Sequence, residues 1–164
     1  MSMKLNAPIP LAATHILDDF ACGEASLDEW LKRRALTNHL SGAGRAFVVT
    51  DQEGRVYGYY AMAAGAVSHQ AATGNARRNM PDPVPVMVLA RLAVDRRAQG
   101  VKLGASLLQD AVSRAVSVSQ NAGVRALLVH ALHDRAKQFY ERHGFRESPQ
   151  HPMTLMLRLS AVKV

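Results

Sequence analysis

Apolar and polar positions recur with two different periods along this chain, and the changes of period mark its elements. Leu27, Trp30, Leu31 and Ala35 recur at helical spacing and Leu40 closes the run, which predicts a helix. Lys32, Arg33 and Arg34 lie between them and make much of its polar side basic. Ser26-Leu27-Asp28-Glu29 reads as a capping box: Ser26 accepts from the amide at the third helical position, and Glu29 occupies that position. Ser41-Gly42-Ala43-Gly44 ends the helix. Residues 46–50 and 56–62 are rich in β-branched and aromatic side chains and predict two antiparallel strands. Asp51-Gln52-Glu53-Gly54 is the hairpin turn between them, with Gly54 at the left-handed position.

Residues 86–94 are nearly all apolar, which suits a central strand covered on both faces. From Leu103 a helical stripe runs through Leu107, Leu108, Ala111, Ala115 and Val118, with Gly123 placed as its C-cap. Residues 124–132 predict another buried strand. Asp134 then N-caps a short helix reaching Arg142 or His143, Gly144 stops it, and Phe145 packs back. Met153, Leu155, Leu157 and Leu159 alternate with Thr154, Met156 and Arg158 in a last strand. Residues 1–14, with Pro8 and Pro10, read as an irregular entry. Residues 66–85 hold three prolines, Gly74, Asn75, Arg77, Arg78 and Asn79, and read as a long basic loop. The order is helix, two antiparallel strands, central strand, long helix, strand, short helix, strand: a mixed α/β sandwich in a single domain, residues 1–164.

Composition narrows the function. The length of 164 residues suits one domain with a full core, and 48% apolar residues exclude a wholly disordered chain. No apolar run approaches the roughly 20 residues that span a bilayer, and Pro8 and Pro10 break up any secretory core. The expectation is a cytoplasmic protein without membrane association. Cys22 is the one cysteine and makes neither an intramolecular disulfide nor a metal cage, so no metal is expected. Lys and Arg number 20 against 13 Asp and Glu, a net charge of +7, which implies an anionic partner: nucleic acid, a phosphorylated cofactor or an acidic protein. The 5% aromatic content argues against a stacking platform for single-stranded RNA.

The richest stretch is Leu92-Ala93-Val94-Asp95-Arg96-Arg97-Ala98-Gln99-Gly100-Val101-Lys102-Leu103-Gly104. A buried strand ends, a basic turn comes next, and a helix begins with glycines nearby. Helix N-termini leave unpaired N–H groups and a partial positive charge, so a pyrophosphate fits there and glycine lets the backbone come close. Arg96, Arg97 and Lys102 add charge-assisted contacts. A Walker loop is excluded, because Gly100-x-x-x-Gly104-Ala105-Ser106 lacks both the spacing and the lysine. The dinucleotide pattern Gly-x-Gly-x-x-Gly is absent.

Strand, Arg/Gln-x-x-Gly-x-Gly/Ala, helix is the acetyl-coenzyme A signature of the GNAT N-acetyltransferases. Arg97-Ala98-Gln99-Gly100-Val101-Lys102 resembles it except at the last position, where Lys102 replaces a small residue. Leu103-Gly104-x-x-Leu107-Leu108 matches the helix start that comes after it. Ala136-Lys137-Gln138-Phe139-Tyr140-Glu141-Arg142-His143-Gly144-Phe145 resembles a late element of the same superfamily. Phe20-x-Cys22-Gly23-Glu24-x-x-Leu27-x-x-Trp30-Leu31, Gly58-Tyr59-Tyr60-Ala61 and Leu89-Ala90-Arg91-Leu92-Ala93-Val94-Asp95 are similar to the acetyltransferase toxins of type II toxin–antitoxin systems.

The resemblance covers almost the whole chain. It implies a GNAT fold: a mixed, mostly antiparallel sheet with splayed central strands, flanked by helices. It implies acetyl transfer from acetyl-CoA to the α-amine of aminoacyl-tRNA, which blocks translation. It also implies a ribbon-helix-helix antitoxin whose complex binds operator DNA, and a homodimer. Carried onto this sequence, Leu92, Ala93 and Val94 hold the pantetheine arm, and Arg97, Gln99, Gly100, Val101, Lys102, Leu103 and Gly104 receive the pyrophosphate, with Phe139 also at the cofactor. Tyr140 is the catalytic candidate. A phenol keeps its proton at neutral pH and can give it to the departing thiolate. On a short helix Phe139 is expected to face the core and Tyr140 to turn about 100° away. No residue stands out as general base. His130, His133 and Asp134 are weak candidates, and an α-amino group beside an ester is partly neutral without one. For RNA, Lys32, Arg33, Arg34, Arg45, Arg77 and Arg78 are the phosphate candidates. The alternatives are an acetyltransferase for a small amine or a protein amino group, and a non-catalytic acetyl-CoA-binding module.

Overall fold

The computed structural model describes residues 4–162. The elements run β1 (Ile9–Pro10), α1 (Ala25–Arg33), α2 (Ala35–Ser41), β2 (Arg45–Thr50), β3 (Val56–Val67), α3 (Gly74–Arg77), β4 (Val84–Val94), a 3-10 turn (Arg96–Ala98), α4 (Leu103–Ser119), β5 (Ala126–His130), α5 (Asp134–Arg142), β6 (Arg146–Glu147), β7 (Thr154–Arg158) and a 3-10 turn (Leu159–Ala161). The strand order is β1-β2-β3-β4-β5-β7-β6. β4 and β5 are parallel, whereas β1–β2, β2–β3, β5–β7 and β6–β7 are antiparallel. This is the mixed, mostly antiparallel sheet with helices that the sequence led us to expect. The chain divides into two compact units. The first runs to Ala63 and takes in Arg91–Ala111; the second holds Ala64–Ala90 and the chain from Val112 onward.

In the first unit Leu11, Phe20, Leu31, Ala35, Val48, Val56, Tyr59 and Ala93 form the core. Trp30 stacks on Tyr59 at 6.0 Å, and the Tyr59 hydroxyl donates to Leu27 O at 2.7 Å, which fixes α1 against β3. The hairpin turn is as expected, with Gly54 at φ +87 and Asp51 Oδ1 accepting from the Glu53 and Arg55 amides. Gly58 on β3 matters for the site. A Cβ there would meet Leu107 Cδ1 at 3.0 Å and Leu103 Cδ2 at 3.1 Å, so its absence lets the first turns of α4 lie close against the strand.

Several expectations fail in this unit. The capping box does not form. α1 starts at Ala25, with Glu24 as N-cap and no side-chain cap, so Ser26 lies inside the helix and cannot be its N-cap; Asp28 Oδ1 accepts from the Cys22 amide at 2.9 Å. The helix breaks at Arg34, and a second, α2, carries on to its left-handed Gly42. The entry segment is not wholly irregular: Ile9 pairs with Val48 and Pro10 with Phe47, an edge position that tolerates proline. The first three residues of that segment lie outside the described residues.

In the second unit Ala72, Ala76, Val84, Val86, Ala126, Leu128 and Met156 pack together. Residues 66–85 are more regular than their composition suggests. β3 extends to Val67, α3 forms at Gly74–Arg77, and β4 begins at Val84. Arg125 supplies what the local sequence lacks, donating from Nε to Ala76 O (3.0 Å) and from Nη2 to Asn75 O (3.3 Å) and Arg78 O (3.0 Å). His69 Nε2 lies 2.7 Å from Met80 O and 2.8 Å from Pro81 O, and the His69 amide donates to Asp82 Oδ1. Buried Ser148 donates to Ala71 O at 2.5 Å. Gly123 is not the C-cap of α4 and has no positive φ. Asn121 Nδ2 and Ser119 Oγ close the last turn instead, donating to Ser117 O and Val116 O. β6 is an edge strand too short to leave a period in the sequence.

Candidate active site

The pairing of β4 with β5 runs from Val86↔Ala126 to Leu89↔Val129 and stops, while β4 continues to Val94. Along this extension Ala90 is exposed and Leu92 and Val94 are half-buried, whereas Leu89 and Ala93, facing the other way, are buried. Beyond the pairing with β5 the strand is thus fully covered only on the face of Leu89 and Ala93, a correction there to the expected burial on both.

Asp95 organises the turn after β4. Its side chain is 1% exposed. Oδ2 accepts from the Ala21 amide (2.9 Å), and Oδ1 accepts from the Arg97 amide (2.8 Å) and Arg97 Nε (2.8 Å). Burial alone would push its carboxyl up, but these hydrogen bonds and the Arg97 charge outweigh it and hold the pKa below the usual carboxylate range. The Arg97 guanidinium also lies over the Tyr57 ring at 4.5 Å. Gln99 Nε2 donates to Val94 O (3.0 Å) and Cys22 O (3.1 Å). The side chains of Arg97 and Gln99 are therefore committed to the turn itself. That corrects the expectation that Arg97 offers a free cation; what these two residues fix is the backbone.

Gly100 at φ +86 and Lys102 at φ +62 are both left-handed, two positions apart. Lys102 therefore occupies a conformation that costs a non-glycine residue about 1–2 kcal/mol, which favours the glycine that the resembled motif allows there. Among the described residues, the backbone N–H groups of Gly100, Val101, Lys102, Leu103, Gly104 and Ala105 donate to no acceptor; the first bond of the segment is Ser106 N to Lys102 O. Such a run at the start of the long helix α4 forms an anion-binding nest reinforced by the helix dipole. Val101 and Lys102 are exposed beside it, and Leu103 is buried against Gly58.

Tyr140 and Phe139 lie in the second unit, on α5. Contrary to expectation, Tyr140 is the more buried of the two, 8% exposed, with Phe139 at 5.3 Å and Phe145 at 5.5 Å between ring centroids. Phe139 is half-buried beside His143, 4.7 Å away. The Tyr140 hydroxyl has no hydrogen-bond partner among the described residues. No polar side-chain atom there is both buried and unpartnered, so this hydroxyl opens to the surface of its unit while the ring is enclosed. Burial pushes its pKa up to about 12. It is a phenol that keeps its proton and has no internal acceptor to share it with.

The helix beneath it is well fixed. His133, not Asp134, is the N-cap: its Nδ1 accepts from the Ala136 amide at 3.1 Å. Gly144, at φ +92, ends the helix as expected, with its amide donating to Glu141 O. Lys137 pairs with Glu147 on β6. His130 Nδ1 lies 2.9 Å from Thr154 Oγ1 and Asp134 is exposed at the first helical position, so neither is arranged as a general base.

The RNA candidates fall in both units. Lys32 and Arg33 in the last turn of α1, and Arg34 after it, are exposed, while Arg45 on β2 donates to His39 O at 2.7 Å. Arg77 and Arg78 close α3 and are exposed. Asp95 and Arg125 are the residues that sequence reading passed over. Asp95 gave a signal, an acid between a strand and two arginines; Arg125 gave none, because its partners lie 47 to 50 positions away. Among the described residues no group of His, Cys, Asp or Glu is arranged to hold a metal.

Residues 43–147 match the acetyltransferase (GNAT) domain family. The chain is 51% identical over 152 residues to the tRNA-acetylating toxin of Mycobacterium tuberculosis, covering 93% of this chain and 91% of that one. Its fold is similar to AtaT complexed with acetyl-methionyl-tRNAfMet, with a TM-score of 0.89, 27% identity and 96% of each chain covered. It is also similar to a tyrosine-to-phenylalanine mutant of the AtaT toxin bound to the C-terminus of the antitoxin AtaR and acetyl-CoA, with a TM-score of 0.83, 27% identity, and 96% of this chain and 94% of that one covered.

Proposed function

We propose, for a chain that belongs to the acetyltransferase (GNAT) family, that it transfers acetyl from acetyl-CoA to the α-amine of aminoacyl-tRNA and so blocks translation. The observation that carries the cofactor reading is the run of unpaired N–H groups from Gly100 to Ala105 at the start of α4. Its donors and its two left-handed residues suit a pyrophosphate, so the residues present fit acetyl-CoA. When bound, acetyl-CoA supplies an acetyl group activated as a thioester. Gly100, Val101, Lys102, Leu103 and Gly104 would hold the pyrophosphate by their amides, with the Lys102 ammonium adding charge. Arg97 and Gln99 would set the turn, the amides of Leu92, Ala93 and Val94 would hold the pantetheine arm, and Phe139 would be a further cofactor contact.

Tyr140 would donate its phenolic proton to the departing sulfur. Its raised pKa keeps it protonated at neutral pH, and its unpartnered hydroxyl leaves the proton free to move. The amine needs no dedicated protein base, since an α-amino group next to an ester is partly neutral near pH 8. Lys32, Arg33, Arg34, Arg45, Arg77 and Arg78 would contact tRNA phosphates. Residues 1–164 would act as one acetyltransferase domain. It would be cytoplasmic and homodimeric, held by a ribbon-helix-helix antitoxin in a complex that binds operator DNA. Among the described residues no helix is long and apolar enough to cross a membrane.

Tyr140→Phe tests the reading, because it removes one oxygen and keeps the ring. Single-turnover acetylation of charged tRNA should slow by about 10²–10⁴-fold, the range of general acid catalysis, with acetyl-CoA affinity and Tm unchanged. A wild-type rate would remove Tyr140 from the mechanism. Failure of the unmodified protein to acetylate any charged tRNA would remove the substrate.

A further inference from the structure

The second unit gathers arginines that the sequence scatters. Arg78 follows α3, Arg125 precedes β5, and Arg158 ends β7. Arg125 Nη2 donates to Arg78 O at 3.0 Å, which brings its guanidinium against the Arg78 backbone. The β5–β7 register pairs Ala126 with Arg158, and the Leu159 amide donates to Arg125 O at 3.1 Å, so Arg158 stands at the adjoining strand end. Met156 packs with Ala76 and Ala126, and Arg158, two residues further along β7, shares that face, the one turned to α3.

These arginines converge without a carboxylate. Among the described residues none of them takes part in an ion pair. Burial depresses the Arg125 pKa, and the charges that add to this are Arg158 and Arg78, both of like sign. Their donors are only partly used. Arg158 Nε donates to Ser160 Oγ at 2.8 Å, while Arg125 Nη1, both Nη atoms of Arg158 and the Arg78 guanidinium have no partner among the described residues. Two half-buried cations, Arg125 and Arg158, and the exposed Arg78 held near them against mutual repulsion are stabilised by an anion placed among them.

The geometry points to a phosphate-binding site formed by Arg78, Arg125 and Arg158 that takes the phosphodiester backbone of RNA; it rests on the aminoacyl-tRNA reading. Guanidinium forks match phosphate oxygens, and several cations in one place suit a polyanion rather than a single carboxylate. A protein partner would need an apolar anchor at the centre of its contact. Among the described residues the large exposed apolar side chains are Ile9, Ile16, Leu40, Val101 and Leu132, and none belongs to α3, its flanking loops or the strand ends that carry Arg125 and Arg158. Arg125 has a double part, because its bonds to three carbonyls also hold α3 in shape and position Arg78.

Arg158 carries the test, since it holds no other element in place. Binding of uncharged tRNA to the full chain would be followed by fluorescence anisotropy across a salt series, with polyglutamate as the acidic-protein probe. Arg158→Gln should weaken tRNA binding about tenfold at low salt. It should also flatten the slope of log Kd against log salt by about 0.7–0.9, with Tm and acetyl-CoA affinity unchanged. Arg158→Lys should restore the slope but not the full affinity. Equal affinity and slope in Arg158→Gln and the unmodified protein would overturn this site alone. Loss of polyglutamate binding with tRNA binding intact would overturn it in favour of an acidic protein. An unmodified protein that binds no tRNA would remove the substrate reading and this site together.

Discussion

The turn after β4 and the segment around α3 solve opposite problems with the same materials. In the turn, side chains are committed and the backbone is free. Asp95 and Arg97 hold each other, Gln99 holds two carbonyls, and the amides from Gly100 to Ala105 have no acceptor among the described residues. Around α3 the backbone is committed and the exposed side chains are less so, with Arg77 Nη1 donating to His69 O at 3.4 Å and the Arg78 guanidinium without a partner among the described residues. Arg125 takes the carbonyls of Asn75, Ala76 and Arg78, and the arginines at the helix end point to solvent. A rigid backbone array recognises one compact group in one geometry. Exposed guanidinium groups on a fixed base suit recognition of charge in more than one arrangement. On the proposed function, the first arrangement suits a defined cofactor and the second a long polyanion.

The strongest way to break this contrast is Gly100→Asp. Space is not the issue, because an added Cβ meets nothing within 4 Å; the left-handed φ and the new carboxylate in the nest are. Acetyl-CoA affinity by calorimetry should fall about a hundredfold or more, the loss expected from roughly two charge-assisted hydrogen bonds. tRNA affinity should stay as it was. If tRNA binding falls instead, the two regions do not divide the work this way.

A smaller effect is expected from reversing Arg77 and Arg78 together to Glu. The KM for charged tRNA should rise about tenfold with a reduced salt dependence, while acetyl-CoA binding is unchanged. An unaltered KM and salt slope would remove this segment from the RNA surface.

The smallest effect sharpens the distinction between satisfied and bare amides. His39 Nδ1 accepts from the Ala46 amide and His15 Nδ1 from the Ala12 amide, each at 3.0 Å. Both pKa values are lowered by burial, that of His39 also by the Arg45 charge. The folded state therefore favours the neutral rings. The stability they give is present above the ordinary value of 6.5 and is lost as pH falls through the lower folded values. Tm should drop by less than about 4 °C, the shift that roughly 1 kcal/mol gives a chain of this size. His39→Asn, whose carboxamide oxygen replaces the ring nitrogen as acceptor, should flatten the drop. A steeper dependence in His39→Asn would show that another group carries it.

Much of the fold was legible because its signals are local. The stripe of α4, the Gly54 turn and the Gly144 stop each depend on residues within a few positions, and the structure has them. The failures have one physical cause, competition from distant partners. Ile9 and Pro10 become a strand because β2 offers an edge, and α3 takes shape because Arg125 arrives from far along the chain. At the site the same rule applies. The backbone part of the motif, Gly100 to Leu103, could be read from spacing. That Gln99 turns back onto the chain could not, since the Cys22 carbonyl comes to it only through folding, whereas Asp95 lies two positions from Arg97 and gave a local signal. For Tyr140, residue type was legible but burial was not; Phe145 and Phe139 decide it.

The clamp that Arg125 places on α3 also sets an order in time. A ribosome delivers Asn75, Ala76 and Arg78 well before Arg125, and until β5 has been made their carbonyls lack the donor that they have in the finished protein. The unit that carries the turn after β4 needs no residue beyond Ala111, whereas the unit that carries α3 draws on the last third of the chain. A growing chain therefore completes the proposed bed for a small cofactor first and the proposed grip on RNA last, when synthesis is nearly over.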